Sequence, residues 1–342
     1  MTRSDSRQRI HGLNGLRTLA LTGVLLFHMF PRTVPGGFFG VILFFVISGF
    51  LTAYSSVQSG RTAVIPYYLK RMKRIYPALI LMIFITVEAV AVTDHFRLAN
   101  TQPEVLSILL GYNNYWQIQQ RADYFANLSS NSPFTHLWYI AILIQFELIW
   151  PWLFRLARKL HRADTLRIMA LLSLFLMPAL SFVPSIPQTV LYYGTFCRIH
   201  ALLAGAYAGW KTAIQKRNHH VRNIVSLPYF LFYFILTAVI WFTVSGQNQA
   251  IYRFGMPAYA IASLIAVELC ADAKNPLTPL LDRGFTGFCS TYSYEIYLWQ
   301  YPVCSVFAIL GLSSGPLNIL MQFFVLLILS VWSHHFIRRL FP

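Results

Sequence analysis

The stretch Gly36–Leu51 reads GGFFGVILFFVISGFL and contains no charged side chain. With its neighbours it forms an apolar run over 38–57, and a helix that crosses a bilayer needs about 20 mostly apolar residues. Gly36 and Gly40 form a GxxxG pair, a spacing that lets two membrane helices approach closely. This run therefore predicts a tightly packed membrane-spanning helix.

Similar apolar runs occur before and after this one along the chain. Of the 342 residues, 56% are hydrophobic and 11% are charged, whereas a soluble domain usually carries about 25% charged residues. The sequence thus predicts an all-α, polytopic membrane protein that forms a single domain over 1–342. About ten transmembrane helices are expected, at 14–30, 38–57, 77–93, 136–154, 166–183, 192–210, 224–243, 254–271, 288–310 and 316–336.

The basic residues indicate how these helices are oriented. The net charge is +16, but Lys and Arg lie in short gaps between the apolar runs, and we expect no nucleic-acid partner. Of the 27 basic side chains, 21 lie in one alternating set of gaps and 4 in the other. Because cytoplasmic loops are rich in Lys and Arg, both termini are predicted to be cytoplasmic. The longest gap, 94–135, is then extracytoplasmic, with a short helix expected near 104–112.

Two ionisable side chains lie in the first predicted span. Arg17 and His28 are eleven residues apart, so they share a helix face and lie about 16 Å apart along the axis. With Arg17 at the inner interface, His28 would lie near the middle of the membrane. A neutral imidazole there can act as a general base on a hydroxyl. A structural histidine bonded to a neighbouring carbonyl is the alternative.

A basic stretch, YYLKRMKRIYP at 67–77, precedes the third predicted span. On a helix Arg71 and Arg74 share a face, as do Lys70 and Lys73. Such a patch can bind phosphate groups, and arginine does so with two parallel hydrogen bonds. Basic residues beside a membrane also serve topology and anionic lipid alone, and the spacing does not separate these roles.

Five segments, in this order, resemble the signature of the acyltransferase-3 family of integral membrane enzymes, which O-acylate extracytoplasmic glycans. They are Arg17 to His28, GGFFGVILFFVISGFL at 36–51, YYLKRMKRIYP at 67–77, FTHLWYIAILIQFELIWP at 134–151 and SYEIYLWQYP at 293–302. The stretch NNYWQIQQRADYF at 113–125 is most similar to the membrane part of peptidoglycan O-acetyltransferases. The resemblance implies a multi-pass protein of the bacterial cytoplasmic membrane.

The resemblance also implies roles for individual residues. It assigns catalysis to His28 and Arg17, and binding of acetyl-CoA, the acyl donor, to Arg71 and Arg74. We also expect Glu147 to take part in catalysis, and Lys70 and Lys73 to take part in donor binding. Contacts with the extracytoplasmic glycan acceptor are expected from a further set of residues, and no metal is expected. These residues are His136, Trp138, Glu295 and Gln300.

The sequence departs from the family pattern at three places. Leu143 stands where the family often has a carboxylate, and Glu147, one helical turn on, could substitute for it. Gln300 stands where the family usually has histidine. Some relatives carry an extracytoplasmic SGNH domain after the membrane part, and none is expected in this chain. A separate SGNH-type transferase is therefore one expected partner.

Three functions are compatible with these features. The first is a membrane O-acyltransferase, of acetyl groups in particular, that moves an acyl group from cytoplasmic acyl-CoA to a cell-wall or surface glycan. The second is a catalytically altered family member that acts as a scaffold or regulator of wall assembly. The third is a transporter of a lipid-linked glycan, although the chain shows no internal repeat of the kind that many transporters have.

Overall fold

The computed structural model describes residues 12–60, 63–94, 101–122, 124–125, 132–160, 163–217, 227–271 and 281–341, and these contain helices but no strand. The α-helices are α1 Leu13–Met29, α2 Gly40–Ser59, α3 Val64–Asp94, α4 Thr101–Leu109, α5 Asn113–Gln119, α6 Trp138–Lys159, α7 Ala163–Ser181, α8 Gln188–Tyr193, α9 Thr195–Arg217, α10 Leu227–Thr243, α11 Met256–Cys270, α12 Phe285–Thr291, α13 Ser293–Ile309 and α14 Pro316–Leu340. Short 3₁₀ turns, Gly37–Phe39 and Thr135–Leu137, precede α2 and α6, and a π turn, Ile251–Gly255, precedes α11.

Each predicted span overlaps one helix or two consecutive helices of the described residues, which confirms the all-α, polytopic membrane class. By length and composition, six helices of the described residues can cross a membrane: Gly37–Ser59, Val64–Asp94, Thr135–Lys159, Ala163–Ser181, Ile251–Cys270 and Pro316–Leu340. Leu227–Thr243 is apolar but shorter. The number of ten spans, the single domain and the cytoplasmic termini stay predictions.

Helix α3 begins well before the apolar run at 77–93. The basic stretch is itself helical, and the helix continues through Pro77. Proline removes one backbone hydrogen bond and usually kinks a helix, but flanking turns maintain the element. As a result Arg71 and Arg74 are carried on the same helix as the membrane-spanning segment.

Helix α2 packs against α1 and α9 at backbone distance. A Cβ atom at Gly40 would lie 2.3 Å from the carbonyl oxygen of Ala20, and one at Gly49 would lie 1.9 Å from that of Leu202. Only glycine allows such an approach, which is the packing that small residues give in membranes. The close packing fixes the position of α1, and with it the positions of Arg17 and His28.

The described residues 101–122 of the predicted outer gap, 94–135, fold back into the helix bundle. The expected short helix is present as α4, and the turn between α4 and α5 accepts a hydrogen bond at the Gly111 carbonyl from Gln145 Nε2, at 2.8 Å. The Leu109 carbonyl accepts another from the Tyr76 hydroxyl, at 3.0 Å. Gln145 lies halfway along the predicted span 136–154, so this turn lies well inside the bundle. Non-helical backbone is tolerated at membrane depth where protein groups satisfy it.

Candidate functional site

His28 is the penultimate residue of α1, and its position near the middle of the membrane stays a prediction. Its Nε2 atom is 2.6 Å from the hydroxyl of Tyr124. The imidazole packs edge-on against Tyr301, with ring centroids 4.9 Å apart, and the residue is 7% exposed. In the predicted topology this end of α1 faces the extracytoplasmic side. The histidine is thus a buried residue at the predicted outer end of α1.

Tyr124 is held in place by aromatic stacking and by α5. Its ring stacks on Tyr192 at 5.0 Å and on Phe27 at 5.7 Å between centroids. The α5 helix is anchored in turn, because Asn114 Nδ2 donates to the Tyr193 carbonyl at 3.0 Å. The segment that folds back into the bundle therefore positions the phenol that hydrogen-bonds His28.

Three residues expected to contact the acceptor lie around the same histidine. The His136 ring stacks on Tyr301 at 5.3 Å between centroids, and His28 is within electrostatic range of it. Gln300 is fully buried and its amide lies close to His28. Trp138 is also buried, 6.4 Å from the Tyr124 ring between centroids. We call His28, Tyr124, His136, Gln300 and Tyr301 the histidine cluster.

The histidine cluster contains buried polar atoms without hydrogen-bond partners. They are Nδ1 of His28, Nδ1 of His136 and both amide atoms of Gln300, which lie near one another or near backbone carbonyls without the geometry of a full hydrogen bond. Native proteins satisfy most buried polar groups, so such a concentration marks a place where a polar ligand or water belongs. A neutral imidazole has one nitrogen that accepts a proton. The cluster can therefore bind a hydroxyl group and remove its proton.

A second polar cluster lies on α2, α3 and α6, around Glu147. The Glu147 carboxylate accepts a hydrogen bond from Thr52 Oγ1 at 2.9 Å and another from the Tyr67 hydroxyl, and it lies 3.1 Å from Arg71 Nε. Arg71 also donates to Thr52 Oγ1 at 3.0 Å. Both oxygens of Glu147 are thus occupied, and Arg71 is neutralised by an ion pair.

Arg17 and Arg74 form the third feature, a pair of guanidinium groups. Each lies within electrostatic range of the other and of the Tyr139 hydroxyl. Arg17 Nη1 donates to Ser290 Oγ at 2.9 Å. In the described part of the chain neither arginine forms a salt bridge, and both keep accessible surface. Two cations without a bound carboxylate favour an anionic ligand such as phosphate.

The structure places His28 apart from the other two residues for which catalysis was expected. His28 lies about 16 Å from Arg17 along α1, whereas Arg17 and Glu147 are both within electrostatic range of the Tyr139 hydroxyl. Glu295 does not join the histidine cluster, because its Oε1 atom is 2.8 Å from Nδ1 of His334. Lys70 and Lys73 are exposed on α3.

Sequence reasoning missed several residues of these sites, namely Tyr124, Tyr301, Tyr139, Thr52 and Tyr67. For Tyr67 a signal existed, since it precedes Arg71 by four residues and thus shares its helix face. For Tyr124 there was none, because the chain separates it from His28 by 96 residues. Among the described residues no group of His, Cys, Asp and Glu could hold a metal ion.

A family model described as an acyltransferase domain matches residues 10–334 of the chain. YrhL of Bacillus subtilis (strain 168) is 29% identical over 98% of this chain and 55% of its own length. The O-acetyltransferase OatA of Staphylococcus aureus (strain NCTC 8325 / PS 47) is 28% identical over 87% of this chain and 51% of its own. The peptidoglycan O-acetyltransferase OatA of Listeria monocytogenes (serovar 1/2a, strain EGD-e) is 28% identical over 88% and 50%. The chain thus spans about half the length of these relatives, and no solved structure matches it.

Proposed function

The chain belongs to the acyltransferase family of integral membrane proteins, and from this membership we propose that it is an O-acetyltransferase acting on a cell-wall glycan. It is a multi-pass protein of a bacterial membrane, since its relatives are bacterial and several helices have membrane-spanning length. The proposed donor is acetyl-CoA on the cytoplasmic side, and the proposed acceptor is a glycan hydroxyl on the other side. The relatives named as O-acetyltransferases support the choice of acetyl group.

The observation that carries this proposal is the arrangement of two sites on one helix. At one end of α1 the Arg17 and Arg74 guanidinium groups offer an anion site, and at the other His28 lies among unpartnered polar atoms. Acetyl-CoA has a large anionic end and a long, thin pantetheine arm with the thioester at its tip. Phosphates bound at the guanidinium pair leave the arm to reach along α1 toward the histidine cluster.

The proposed reaction needs a base near the thioester. His28 removes the proton from the acceptor hydroxyl, and the hydroxyl oxygen attacks the thioester carbonyl carbon. The carbon–sulfur bond breaks, the acetyl group becomes an ester of the glycan, and the proton passes from His28 to the departing CoA thiolate. Tyr124 orients the imidazole through Nε2, as a partner on one ring nitrogen fixes the role of the other.

Two observations favour the scaffold or regulator as a second candidate. The His28 ring is only 7% exposed and lies in a shell of aromatic side chains, so reactants need movement of that shell to reach it. Leu143 also lacks the carboxylate that the family often has there. A catalytically silent member would keep the fold and lose transfer altogether. A separate SGNH-type transferase that completes transfer is an alternative to the direct transfer described above.

The distinguishing experiment measures O-acetylation of cell-wall glycan in cells that carry the chain. Wild type is compared with His28→Ala and with His335→Ala, a matched control that removes an exposed histidine near the end of α14. We expect glycan acetylation to fall at least 100-fold for His28→Ala, in the range that general bases contribute, and to persist for His335→Ala. Equal glycan acetylation for wild type and both variants would contradict the proposed role of His28 and favour the scaffold or regulator.

A further inference from the structure

A cavity outside the histidine cluster lies between the α7–α8 connection and the π turn before α11. Its volume is about 250 Å³, and its walls include Phe182, Gln188, Gln249, Tyr252 and Arg253. Both segments fall in gaps of the predicted topology that face the extracytoplasmic side. The cavity is large enough for one sugar ring, and its walls combine apolar side chains with several polar groups, as suits a polar ligand such as a sugar.

Arg253 gives this cavity an unneutralised positive charge. Its Nη2 atom donates to Gln249 Oε1 at 3.1 Å, and its guanidinium lies 4.7 Å from the centroid of the Phe182 ring. Nε is buried without a hydrogen-bond partner, and within the described ranges Arg253 forms no salt bridge. An arginine held by a neutral amide and an aromatic ring keeps its charge available for an anion.

A second cation lies behind the cavity wall. Arg198 is 3% exposed and within electrostatic range of Tyr252. Its Nε atom donates to the Tyr192 carbonyl at 2.7 Å and Nη1 contacts the Met256 sulfur at 2.8 Å, while Nη2 has no partner. No salt bridge of the described residues neutralises it. A buried charge without a counter-ion raises the positive potential of the cavity and is a functional signal in a membrane protein.

The short helix α8 connects the cavity to the histidine cluster. Gln188 and Leu191 line the cavity, whereas Tyr192 stacks on Tyr124 at 5.0 Å between ring centroids. Tyr124 in turn hydrogen-bonds His28. One helix of six residues therefore separates the two sites. When one sugar of a glycan occupies the cavity, only this helix separates the adjoining sugar from His28.

We infer that this cavity is an acceptor subsite that holds a sugar bearing a carboxylate, with Arg253 as the residue that binds the carboxylate. The inference rests on the proposed function for the identity of the acceptor as a glycan. The amides of Gln188 and Gln249 offer donors and acceptors for sugar hydroxyls, and the Phe182 ring offers an apolar face. Arg198 contributes long-range attraction from behind Tyr252.

Binding of a defined disaccharide tests the subsite without requiring acetyl transfer. The full chain in nanodiscs of zwitterionic lipid is titrated with a disaccharide of N-acetylglucosamine and glucuronic acid, which carries a free carboxylate, and with its carboxamide. We expect wild type to bind the carboxylate at least tenfold more tightly, since a hydrogen bond to a charged group contributes about 1.5–3 kcal/mol. Arg253→Gln should reduce this preference to within about twofold, and Arg32→Gln, which removes an exposed arginine of the same predicted face, should keep it.

Two outcomes would overturn the subsite. One is equal affinity of wild type for the carboxylate and the carboxamide. The other is an absence of disaccharide binding together with Arg253-dependent binding of anionic lipid, which would make the cavity a lipid headgroup site. Because no donor is present, these results are independent of the proposed function. Tight carboxylate binding by a chain that transfers no acetyl group would support the subsite and contradict only the enzyme.

Discussion

The hydroxyl oxygen of Tyr124 lies 2.6 Å from Nε2 of His28, although the two residues are 96 positions apart in the sequence. The contact joins the end of α1 to the segment that folds back into the bundle between α3 and α6. The orientation of the histidine therefore depends on the fold of that segment, which α5 anchors through Asn114. Removal of this one hydroxyl is the mildest way to disturb the proposed base.

Tyr124→Phe should slow acetyl transfer roughly fivefold, because it removes a hydrogen bond of about 1 kcal/mol and keeps the ring. Stacking on Phe27 and Tyr192 should maintain the fold. The measurement is the initial rate of glycan acetylation with donor in excess. Tyr233→Phe, which alters a buried tyrosine hydroxyl between α10 and α11, is the control. Equal rates for the two variants would show that Tyr124 only fills space.

Gln300→Leu should raise the stability of the fold and lower the activity. The amide of Gln300 is buried close to His28 but forms no well-aligned hydrogen bond, which costs about 1–3 kcal/mol. An apolar side chain of similar size should raise the midpoint of thermal unfolding, while acetyl transfer falls because a polar contact in the histidine cluster is lost. A thermal shift assay and the acetylation assay, run on the same preparation, measure both. A lower midpoint would mean that the amide stabilises the fold.

Substitutions of Arg71 and Arg74 should have different effects, although both residues lie on one face of α3. Arg71→Gln leaves the carboxylate of Glu147 without its cation, so we expect a loss of about 2–3 kcal/mol in stability and a lower unfolding midpoint. Arg74→Gln should keep the midpoint and weaken acetyl-CoA binding about tenfold. Binding should also become less sensitive to salt when a phosphate contact is removed.

The comparison for both arginine variants is Arg167→Gln, which alters an exposed cation paired with Asp164. It should change neither the unfolding midpoint nor the dissociation constant for acetyl-CoA. If Arg74→Gln binds the donor as wild type does, the basic stretch serves only topology or anionic lipid. The double variant should show both effects, since each arginine contacts different groups.

Glu104 predicts a pH dependence of the segment that positions Tyr124. Burial raises the pKa of this carboxyl from 4.5 to about 7, even though Gln117 and Ser132 donate hydrogen bonds to it. The folded state therefore holds the proton more tightly than the unfolded chain. The contribution of Glu104 to the free energy of unfolding is therefore largest below pH 4.5, and it is lost as the pH rises through 7.

Glu104→Gln should remove this dependence, because the amide is neutral at every pH. We expect the unfolding midpoint of wild type to fall between pH 5 and 8, and that of the variant to change less over the same range. Thermal unfolding at several pH values, in one detergent and at constant ionic strength, measures the difference. Parallel curves for the two proteins would contradict the assignment to Glu104.

The hydrophobic pattern was sufficient to locate the helices, because membrane insertion depends on local composition. The run at 38–57 became the 20-residue α2, and the run at 316–336 became α14. Composition did not reveal that the polar segment around Gly111 turns back into the bundle. That turn is stabilised by Gln145 on a distant helix, and sequence spacing carries no information on such contacts.

For the candidate site, the sequence indicated which residues belong to it but not which residues each of them contacts. His136 and Gln300 were expected beside the acceptor and do lie near His28. Glu295 was expected with them, but the imidazole of His334 on α14 pairs with it. The approach of Arg74 to Arg17 likewise depends on how α1 and α3 each pack against α13. Long-range packing of this kind decides which charges become neutralised and which remain for a ligand.

The central claim is that a chemical group passes from a donor inside to an acceptor outside by way of His28. Sealed right-side-out membrane vesicles of cells that carry the chain, loaded with radiolabelled acetyl-CoA, test it directly. The account predicts label on the external glycan for wild type and a loss of at least 100-fold for His28→Ala. Label that appears on the glycan at the same rate in both would contradict it.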